Sequence, residues 1–318
     1  MNAKIKKMIS LFIACCMCAG CFTSSSAAEY TSSSYPCYFE TGEIMESEGN
    51  KVNIIFNTHK GNHIGVRTFK EDGTETYNNI LQKGKRTQAI NKKGSLLYAY
   101  KVKKGNMYII AMNKKGKIKA TYPIEHKFNK LGRVEDIAIK GNKIYYMVYV
   151  IKKDPNDSTV SLQSYNIKTQ KTRQYKQLKG SGWIAEDDKW YHINYINHTI
   201  EQYTLKGKKV CSYEFPEGER KITIHSPYGG DEEVCFGGID FVGRYIYNCN
   251  RNGVYRCDTE GNKTFELIYS GANDPVFNPK YGEELGSIYF SALENGNFHL
   301  FLGDTEAVYK DVIYRAKE

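Results

Sequence analysis

The sequence lacks the short motifs that mark the common classes of enzyme. The 318 residues contain no G-x-S-x-G turn, no H-E-x-x-H pair and no phosphate-binding glycine loop, and no pair of C-x-x-C motifs follows residue 21. These absences argue against hydrolases with a strand-to-helix nucleophile, zinc proteases and nucleotide-binding enzymes. They leave open a site that is assembled from distant segments.

Helical periodicity and long apolar runs are also scarce. Apolar residues rarely recur at the spacing of one helix face, which indicates a chain built of strands. An apolar run at residues 8–19 is too short to span a bilayer as a stable helix. Because Lys4, Lys6 and Lys7 precede it, the layout is that of a secretory signal, and we expect residues 1–20 to be a signal peptide.

Two processing sites compete after this run. The letters CAGC at residues 18–21 resemble the lipobox of bacterial lipoproteins, although Cys18 stands where leucine is usual. That resemblance implies lipidation of Cys21 and anchoring to a membrane. The rival is ordinary cleavage after Ala28, which would give a secreted protein. The Ser/Thr-rich residues 21–34 would form a flexible tether, and this favours lipidation.

The charge of the mature chain is moderate and diffuse. Removing residues 1–20 lowers the number of Lys and Arg from 45 to 42 against 35 Asp and Glu, so the formal net charge falls to +7. The lysines are scattered through turns, which is typical of a solvated surface. This charge permits attraction to acidic envelope polymers. Nucleic acid is not expected as a partner of an exported protein with diffuse charge.

Five cysteines follow the leader, and they have no metal-type spacing. They are Cys37, Cys211, Cys235, Cys249 and Cys257. A chain of this length buries a core without disulfides, so we expect free, mostly buried thiols, no metal and no cofactor. If one pair forms, Cys249 and Cys257 are the candidates because they flank a hairpin.

One pattern recurs along the chain: a strand, a polar turn and a second strand. Its clearest copy is YNIKTQKTRQY at residues 165–175. The other copies lie at residues 66–77, 111–122, 203–213, 256–269 and 301–314. The turns lie about 47 residues apart on average, in the range of propeller blades. Their Gly, Asn, Asp and Lys residues are typical of hairpins.

A second repeated element, a strand of alternating aromatic and β-branched residues, precedes each hairpin. These strands begin at residues 52, 96, 144, 190, 245 and 287. A weaker strand comes before each of them. Six units of four strands predict an all-β fold, a six-bladed β-propeller with four antiparallel strands per blade, over residues 35–318. The 26 tyrosines would fill the space between blades, with their hydroxyls bonded to backbone or water.

The recurring IYY strands and Y-N/D-x-x-G hairpins resemble six-bladed propellers of the TolB-like and low-density-lipoprotein-receptor-like kind. The resemblance runs from about Tyr35 to the C-terminus, and the YWTD tetrapeptide of the receptor family is absent. It implies a binding platform, a partner-docking module or, less often, an enzyme. Since this fold hosts many functions, it conveys little about activity.

In such a ring, the loops between the second and third strands and the loops between blades share one face. Long loops are expected at residues 214–234 and 270–284. The candidate ligand-binding residues on this face are His59, His63, His126, Trp183, His198, Arg220, His225, Tyr228, Asp231 and Tyr281. Imidazoles act as acids, bases or ligands near neutral pH, although histidines are also simply tolerated in loops.

Aromatic and charged side chains in these loops suit a sugar ligand. Exposed rings stack on sugars, and Arg220 or Asp231 would bind hydroxyls or carboxylates. Trp190 begins a strand and is expected in the core. The adjacent acids at residues 186–188 are expected to be solvated.

Three functions remain open from the sequence. The first is a monomeric, non-catalytic binding module for a glycan or an envelope protein. The second is a carbohydrate-active enzyme similar to a polysaccharide lyase, in which a loop His or Tyr removes a proton and Arg220 or a neighbouring lysine neutralises a uronate. The third is a structural member of an assembly.

Overall fold

A computed structural model describes most of the chain beyond residue 29. The described residues are 30–39, 42–48, 51–57, 63–70, 74–83, 87–127, 132–150, 159–180, 182–195, 197–216, 218, 221–225, 231–278, 287–293, 296–303 and 308–316. They form β-strands and no α-helix. In these ranges no helix is long and apolar enough to cross a membrane. The predicted signal peptide and Cys21 lie outside the described residues.

Five sheets each contain four consecutive antiparallel strands, as the repeats predict. Sheet 1 contains β2 (Gly42–Glu48), β3 (Lys51–Asn57), β4 (His63–Lys70) and β5 (Glu75–Lys83). Sheet 2 contains β6 (Thr87–Lys93), β7 (Leu96–Lys103), β8 (Asn106–Met112) and β9 (Ile118–Lys127). Sheet 3 contains β10 (Gly132–Lys140), β11 (Lys143–Val150), β12 (Thr159–Asn166) and β13 (Lys171–Lys179).

Sheets 4 and 5 follow the same order. Sheet 4 contains β14 (Trp183–Glu186), β15 (Lys189–Asn194), β16 (Thr199–Thr204) and β17 (Lys209–Glu214). Sheet 5 contains β20 (Gly238–Val242), β21 (Tyr245–Asn250), β22 (Gly253–Asp258) and β23 (Phe265–Ser270). We call the first strand of each of these five sheets its inner strand. The third and fourth strands form the predicted hairpin. Turn chemistry fixes these hairpins: Asn166 Oδ1 accepts hydrogen bonds from the N–H groups of Lys168 and Thr169, both at 3.0 Å.

Sheet 6 has six strands and joins the two ends of the described chain. Its order is β1 (Tyr30–Phe39), β26 (Val308–Ala316), β25 (Phe298–Gly303), β24 (Ser287–Ala292), β19 (Asp231–Phe236) and β18 (Lys221–His225). The N-terminal β1 runs antiparallel to β26, with Ser32 opposite Tyr314. Residues 30–34 were assigned to the flexible tether, and this boundary is wrong because those residues form the outer strand of the last sheet.

The sequence pattern suggested that β24 is the second strand of its unit, but the structure gives it another position. The N–H of Gly237 donates to the carbonyl of Ile288 at 2.7 Å, and the N–H of Ala292 donates to Asp240 Oδ2 at 2.8 Å. These two bonds show that β24 runs parallel to β20, the inner strand of sheet 5. Among the four antiparallel strands of sheet 6, β24 therefore takes the inner position, and β1 completes the set.

The segment predicted as a long loop at residues 214–234 contains a hairpin. Strands β18 and β19 pair with each other, and β19 continues sheet 6 through a short parallel pairing of Cys235 with Ser287 and Phe236 with Ile288. Alternating residues such as Ile222, Ile224 and Val234 suit strands. The extra hairpin has no counterpart in the other five sheets.

Consecutive sheets pack face to face through apolar side chains. Sheets 1 and 2 share a buried cluster, as do sheets 2 and 3, 3 and 4, 4 and 5, and 5 and 6. Trp190 is fully buried between sheets 3 and 4, as expected, and Tyr146 is fully buried between sheets 2 and 3. Aromatic rings fill these interfaces because each contributes a large apolar area.

Several buried tyrosine hydroxyls find side-chain partners rather than the backbone or water expected from the sequence. Tyr146 donates to Gln163 Oε1 at 3.0 Å, and Tyr213 donates to Gln202 Oε1 at 2.8 Å. Burial raises the pKa of Tyr213 far above its ordinary value of 10.0, so it stays neutral. Both glutamines are themselves buried, and each bond satisfies two polar groups that burial would otherwise leave unpaired.

Cys249 and Cys257 cannot form the candidate disulfide. Cys249 packs in the cluster between sheets 5 and 6, whereas Cys257 packs in the cluster between sheets 4 and 5. The two thiols therefore lie on opposite faces of sheet 5, and both are fully buried. Burial raises the pKa of Cys257 to about 11, which suppresses its thiolate.

Candidate ligand-binding face

The inner strands of sheets 2 to 5 end close together. Lys93 Nζ, at the end of β6, donates to the carbonyl of Ala185 at 3.0 Å and lies 3.2 Å from Glu186 Oε2. Glu186 Oε1 accepts a hydrogen bond from the N–H of Gly243 at 3.1 Å. We call this side of the sheets the turn end, and the opposite side, where the inner strands begin, the loop end.

Glu186 was expected to be a solvated acid beside Asp187 and Asp188. Instead its side chain is only 23% exposed and joins sheets 2, 4 and 5. Sequence reasoning missed this because the partner, Lys93, is 93 residues away. Asp188 pairs with Lys140 Nζ at 3.0 Å on the surface.

The turn between β15 and β16 presents an aromatic ring and an imidazole at the loop end. Tyr195 is 45% exposed, and its ring lies 6.2 Å from the buried ring of Phe215. The His198 ring lies 5.4 Å from the same phenylalanine, and the His198 carbonyl accepts the N–H of Phe215 at 3.0 Å. His198 adopts a left-handed φ of 49°, which turns the chain sharply enough to place both rings on Phe215.

His198 Nδ1 is buried and has no hydrogen-bond partner among the described residues. An unpaired ring nitrogen costs free energy unless a ligand or water reaches it. Tyr195 was not singled out from the sequence, although its position in a polar turn is the signal that would have found it.

The hairpin of β18 and β19 brings two predicted site residues opposite each other. His225 is the last residue of β18 and faces Asp231, the first residue of β19, in the register of the pair. Since only the last residues of β19 pair with the first residues of β24, the opposite end of the hairpin projects past the loop end. Residues 226–230, which include Tyr228, lie outside the described residues.

A close contact fixes the segment that leads into this hairpin. A Cβ atom at Gly218 would lie 2.4 Å from Asn250 Nδ2, so a larger residue would have to displace this side chain. Asn250 is buried, and its Oδ1 accepts the N–H of Asn252 at 2.9 Å in the turn between β21 and β22. The hairpin therefore starts beside the loop end of sheet 5.

The other predicted site residues have different positions. His63 is the first residue of β4 and is half-buried, and His126 lies near the end of β9, so both strands meet the loop end there. Trp183 is 3% exposed and stacks on His192 at 4.6 Å between sheets 3 and 4. Its predicted place in a loop is wrong, because Trp183 begins β14 and packs in the core. His59, Arg220 and Tyr281 lie outside the described residues.

Two carboxylates, the buried Asp136 and the half-buried Asp240, tie inner strands together through bonds from backbone N–H groups and one serine hydroxyl. Asp240 Oδ1 accepts the N–H of Phe241 at 2.8 Å, while Oδ2 accepts the N–H of Ala292 and the hydroxyl of Ser291. Asp136 Oδ2 similarly accepts the N–H of Ala185 at 2.7 Å. Burial raises the pKa of Asp240 to about 6 despite these bonds. These acids join neighbouring sheets.

The described residues contain no group of three or more His, Cys, Asp and Glu side chains placed to hold a metal ion. At the loop end the described groups include the ring of Tyr195, the imidazole of His198 and the amide of Asn250, which offer stacking and hydrogen bonding. Such groups bind polar, ring-containing ligands.

Neither a family model nor a curated protein matches this chain. Solved structures with a similar arrangement include an oligogalacturonate lyase in complex with manganese, with a TM-score of 0.43 and 11% identity, covering 93% of this chain and 95% of that one. A protein of unknown function from Bacteroides caccae has a TM-score of 0.40 and 8% identity, with coverages of 80% and 84%.

An acylaminoacyl peptidase in complex with a chloromethyl ketone has a TM-score of 0.39 and 12% identity. The alignment covers 85% of this chain and 46% of the peptidase, so the chain spans about half of that protein's length. At these identities and scores none of the three similarities bears on the function or the site.

Proposed function

We propose that this protein is an exported, lipid-anchored six-bladed β-propeller that binds a glycan or an envelope protein at its loop end without catalysis. The main observation that supports a ring of sheets is the contact of Lys93 in sheet 2 with Glu186 in sheet 4. Sheet 3 lies between these sheets in the packing order. Their inner strands meet only if the sheets curve around a common axis, as blades do.

The pairing of β1 with β26 supports the same arrangement. It supplies sheet 6 with a fourth antiparallel strand next to β26 and ties the N-terminal strand to the last sheet. Each blade then buries its two aromatic faces against its neighbours. A ring of this kind leaves the loop end as a rigidly supported surface for recognition.

The loop end carries groups suited to a sugar or a peptide. Tyr195 offers an exposed ring for stacking, and His198 lies beside it on Phe215. The projecting hairpin adds His225 and Asp231 at facing positions. Because the sheets hold these aromatic and imidazole rings in place, ligand binding costs little side-chain entropy. This low cost favours recognition of a repeating ligand.

A binding screen with envelope glycans and envelope peptides tests this function. We expect the purified protein to retain at least one of these ligands and Tyr195→Ala to weaken retention roughly fivefold to tenfold, since one stacking contact is lost. Arg244→Ala, on the turn end, is the matched control and should leave binding unchanged. Retention of no ligand, or equal loss in both variants, would contradict the proposal.

The same preparation distinguishes the lyase alternative. Mixed with uronate polysaccharides, a binding module gives no new ultraviolet absorbance, whereas a lyase produces unsaturated chain ends that absorb. An absorbance signal that is present in wild-type protein and absent in His225→Ala would show that the protein is an enzyme and not a binding module. The mass of the mature N-terminal peptide decides the anchor separately: lipidated Cys21 supports it, and an unmodified N-terminus at Glu29 excludes it.

A further inference from the structure

The outer hairpins of sheets 2, 3 and 4 carry an excess of exposed cations. We define the basic rim as the following exposed residues: Lys114, Lys115, Lys117, Lys119, Lys168, Lys171, Arg173, Lys176, Lys206 and Lys208. None of them lies within 4.0 Å of a carboxylate among the described residues. Isolated exposed lysines are usually just solvated, so the arrangement must be argued from their neighbours.

Contacts between sheets join these hairpins into one strip. A Cβ atom at Gly207, in the outer turn of sheet 4, would lie 3.2 Å from Leu162 Cδ2 and 3.6 Å from Lys176 Cβ in sheet 3. The turn with Lys206 and Lys208 therefore rests on β13. The ring of Tyr165, next to the outer turn of sheet 3, lies 6.0 Å from Tyr122 in β9 of sheet 2.

The strip is basic for two reasons: it contains many lysines, and it lacks acidic residues. Residues 101–124, 159–185 and 202–213 contain no Asp or Glu. In sheet 4, Glu201 of β16 pairs with Lys209 of β17, and these two residues are therefore not part of the rim. In sheet 1 Glu75 pairs with Arg67, and in sheet 5 Asp258 lies 2.9 Å from Arg244. Among the described residues, the outer hairpins of three consecutive sheets therefore carry exposed cations without a carboxylate partner, and this local excess is stronger than the net charge of the whole chain suggests.

We propose that the basic rim binds a linear polysaccharide that carries carboxylates. Nine of its ten cations are lysines, whose compact ammonium groups attract anions at variable spacing without the fixed geometry of a bidentate guanidinium. This composition fits a polyanion whose charges repeat along a chain, with counterion release as the driving force. The rim is separate from the loop end, so the protein would hold such a polymer and a second ligand together.

The shape of the rim favours a linear polymer over a membrane. This step rests on the proposed ring, in which three consecutive outer edges form a convex arc. A flexible chain can follow that arc and meet the cations of all three sheets. A planar bilayer can touch only part of the arc at one time, and charges farther than about 10 Å are screened at ordinary ionic strength.

The experiment compares retention of the full-length protein on immobilised carboxymethyl-dextran and on unmodified dextran, which has the same backbone without carboxylates. We expect retention on the charged polymer only, and weaker retention as salt is raised. Lys171→Glu combined with Lys176→Glu should weaken binding roughly tenfold. Both positions are exposed, so the fold is expected to tolerate the changes.

Lys103→Glu combined with Lys104→Glu is the matched control. It makes the same change in net charge on exposed residues, but at the turn between β7 and β8, which is at the loop end of sheet 2. We expect less than a twofold effect. Equal weakening in both double variants would show that net charge alone drives retention and would overturn the proposal, as would equal retention on neutral dextran.

Two further measurements separate this inference from the proposed function. Tyr195→Ala should keep polymer binding, so a failure of the loop-end screen leaves the basic rim standing and the reverse also holds. Vesicles that contain phosphatidylglycerol are the competing partner. If the rim variant loses binding to these vesicles while wild-type protein ignores the polymer, the surface is a membrane contact and the proposal is wrong.

Discussion

Single carboxylate side chains join neighbouring sheets in this protein. Asp240 in sheet 5 accepts hydrogen bonds from Ala292 and Ser291 in sheet 6, and Asp136 in sheet 3 accepts one from Ala185 in sheet 4. Each carboxylate supplies a hydrogen bond between two sheets whose described strands do not pair with each other. Because burial raises the pKa of Asp240, the ionisation of this carboxyl group is coupled to stability.

Asp240 should make stability depend on pH. Its pKa of about 6 in the folded protein lies above the ordinary value of 3.8, so the folded state binds the proton more tightly than the unfolded state. The free energy of unfolding should therefore fall by about 2–3 kcal/mol as pH rises from about 4 to about 6. Urea unfolding of wild-type protein and Asp240→Asn across this range measures the difference.

In Asp240→Asn this pH dependence should be absent, because the amide does not ionise in this range. Glu260→Gln, at an exposed position, is the control and should follow wild type. A constant difference between wild type and Asp240→Asn from pH 4 to pH 7 would contradict the expected linkage.

Trp183 illustrates how a residue expected at a site serves the core. Trp183→Ala should lower the free energy of unfolding by about 3–5 kcal/mol, because the ring fills the space between sheets 3 and 4. Tyr195→Ala, which removes an exposed ring, should cost far less. Equal denaturation midpoints for wild type and Trp183→Ala would show that the indole is not packed as described.

At the level of elements, the N-terminal strand should stabilise the last sheet and cover its edge. The hydroxyl of Tyr30 donates to the Gly296 carbonyl at 3.1 Å, and its ring lies 5.3 Å from Tyr269 and 5.4 Å from Phe298. A chain that starts after Phe39 loses these contacts and leaves β26 as an exposed edge, which favours aggregation.

We expect that shortened chain to unfold at lower urea and to aggregate, as measured by circular dichroism and light scattering. A chain that starts at Tyr30 is the control, and it should unfold like the longer protein because β1 is complete. If both chains behave alike, β1 is not the strand that completes sheet 6.

Some secondary-structure elements could be predicted correctly from local sequence patterns. The outer hairpins were predictable because Gly, Asn and Asp select tight turns locally, as Asn166 does between β12 and β13. The alternation in β18 and β19 is local, but their attachment to sheet 6 was not predictable because the partner, β24, is about fifty residues away and pairs through only two residues.

At the level of the whole molecule, the contact between Lys93 and Glu186 is the feature that tests the ring. A double-mutant cycle with alanine at both positions should give a coupling energy of about 1 kcal/mol, because both side chains are about three-quarters buried. The exposed pair of Lys140 and Asp188 should give almost none. A coupling of zero for the first pair would remove the main support for a common axis.

The sequence by itself determined a chain of repeated antiparallel sheets, since strand alternation and turn chemistry act over fewer than ten residues. Only the tertiary structure decided which strand completes the last sheet, which side of β21 and β22 each cysteine occupies, and that Trp183 lies inside. These outcomes depend on pairing and packing between residues as far apart as Tyr30 and Ala316. Such contacts are chosen by the burial of whole faces, which no short stretch of sequence encodes.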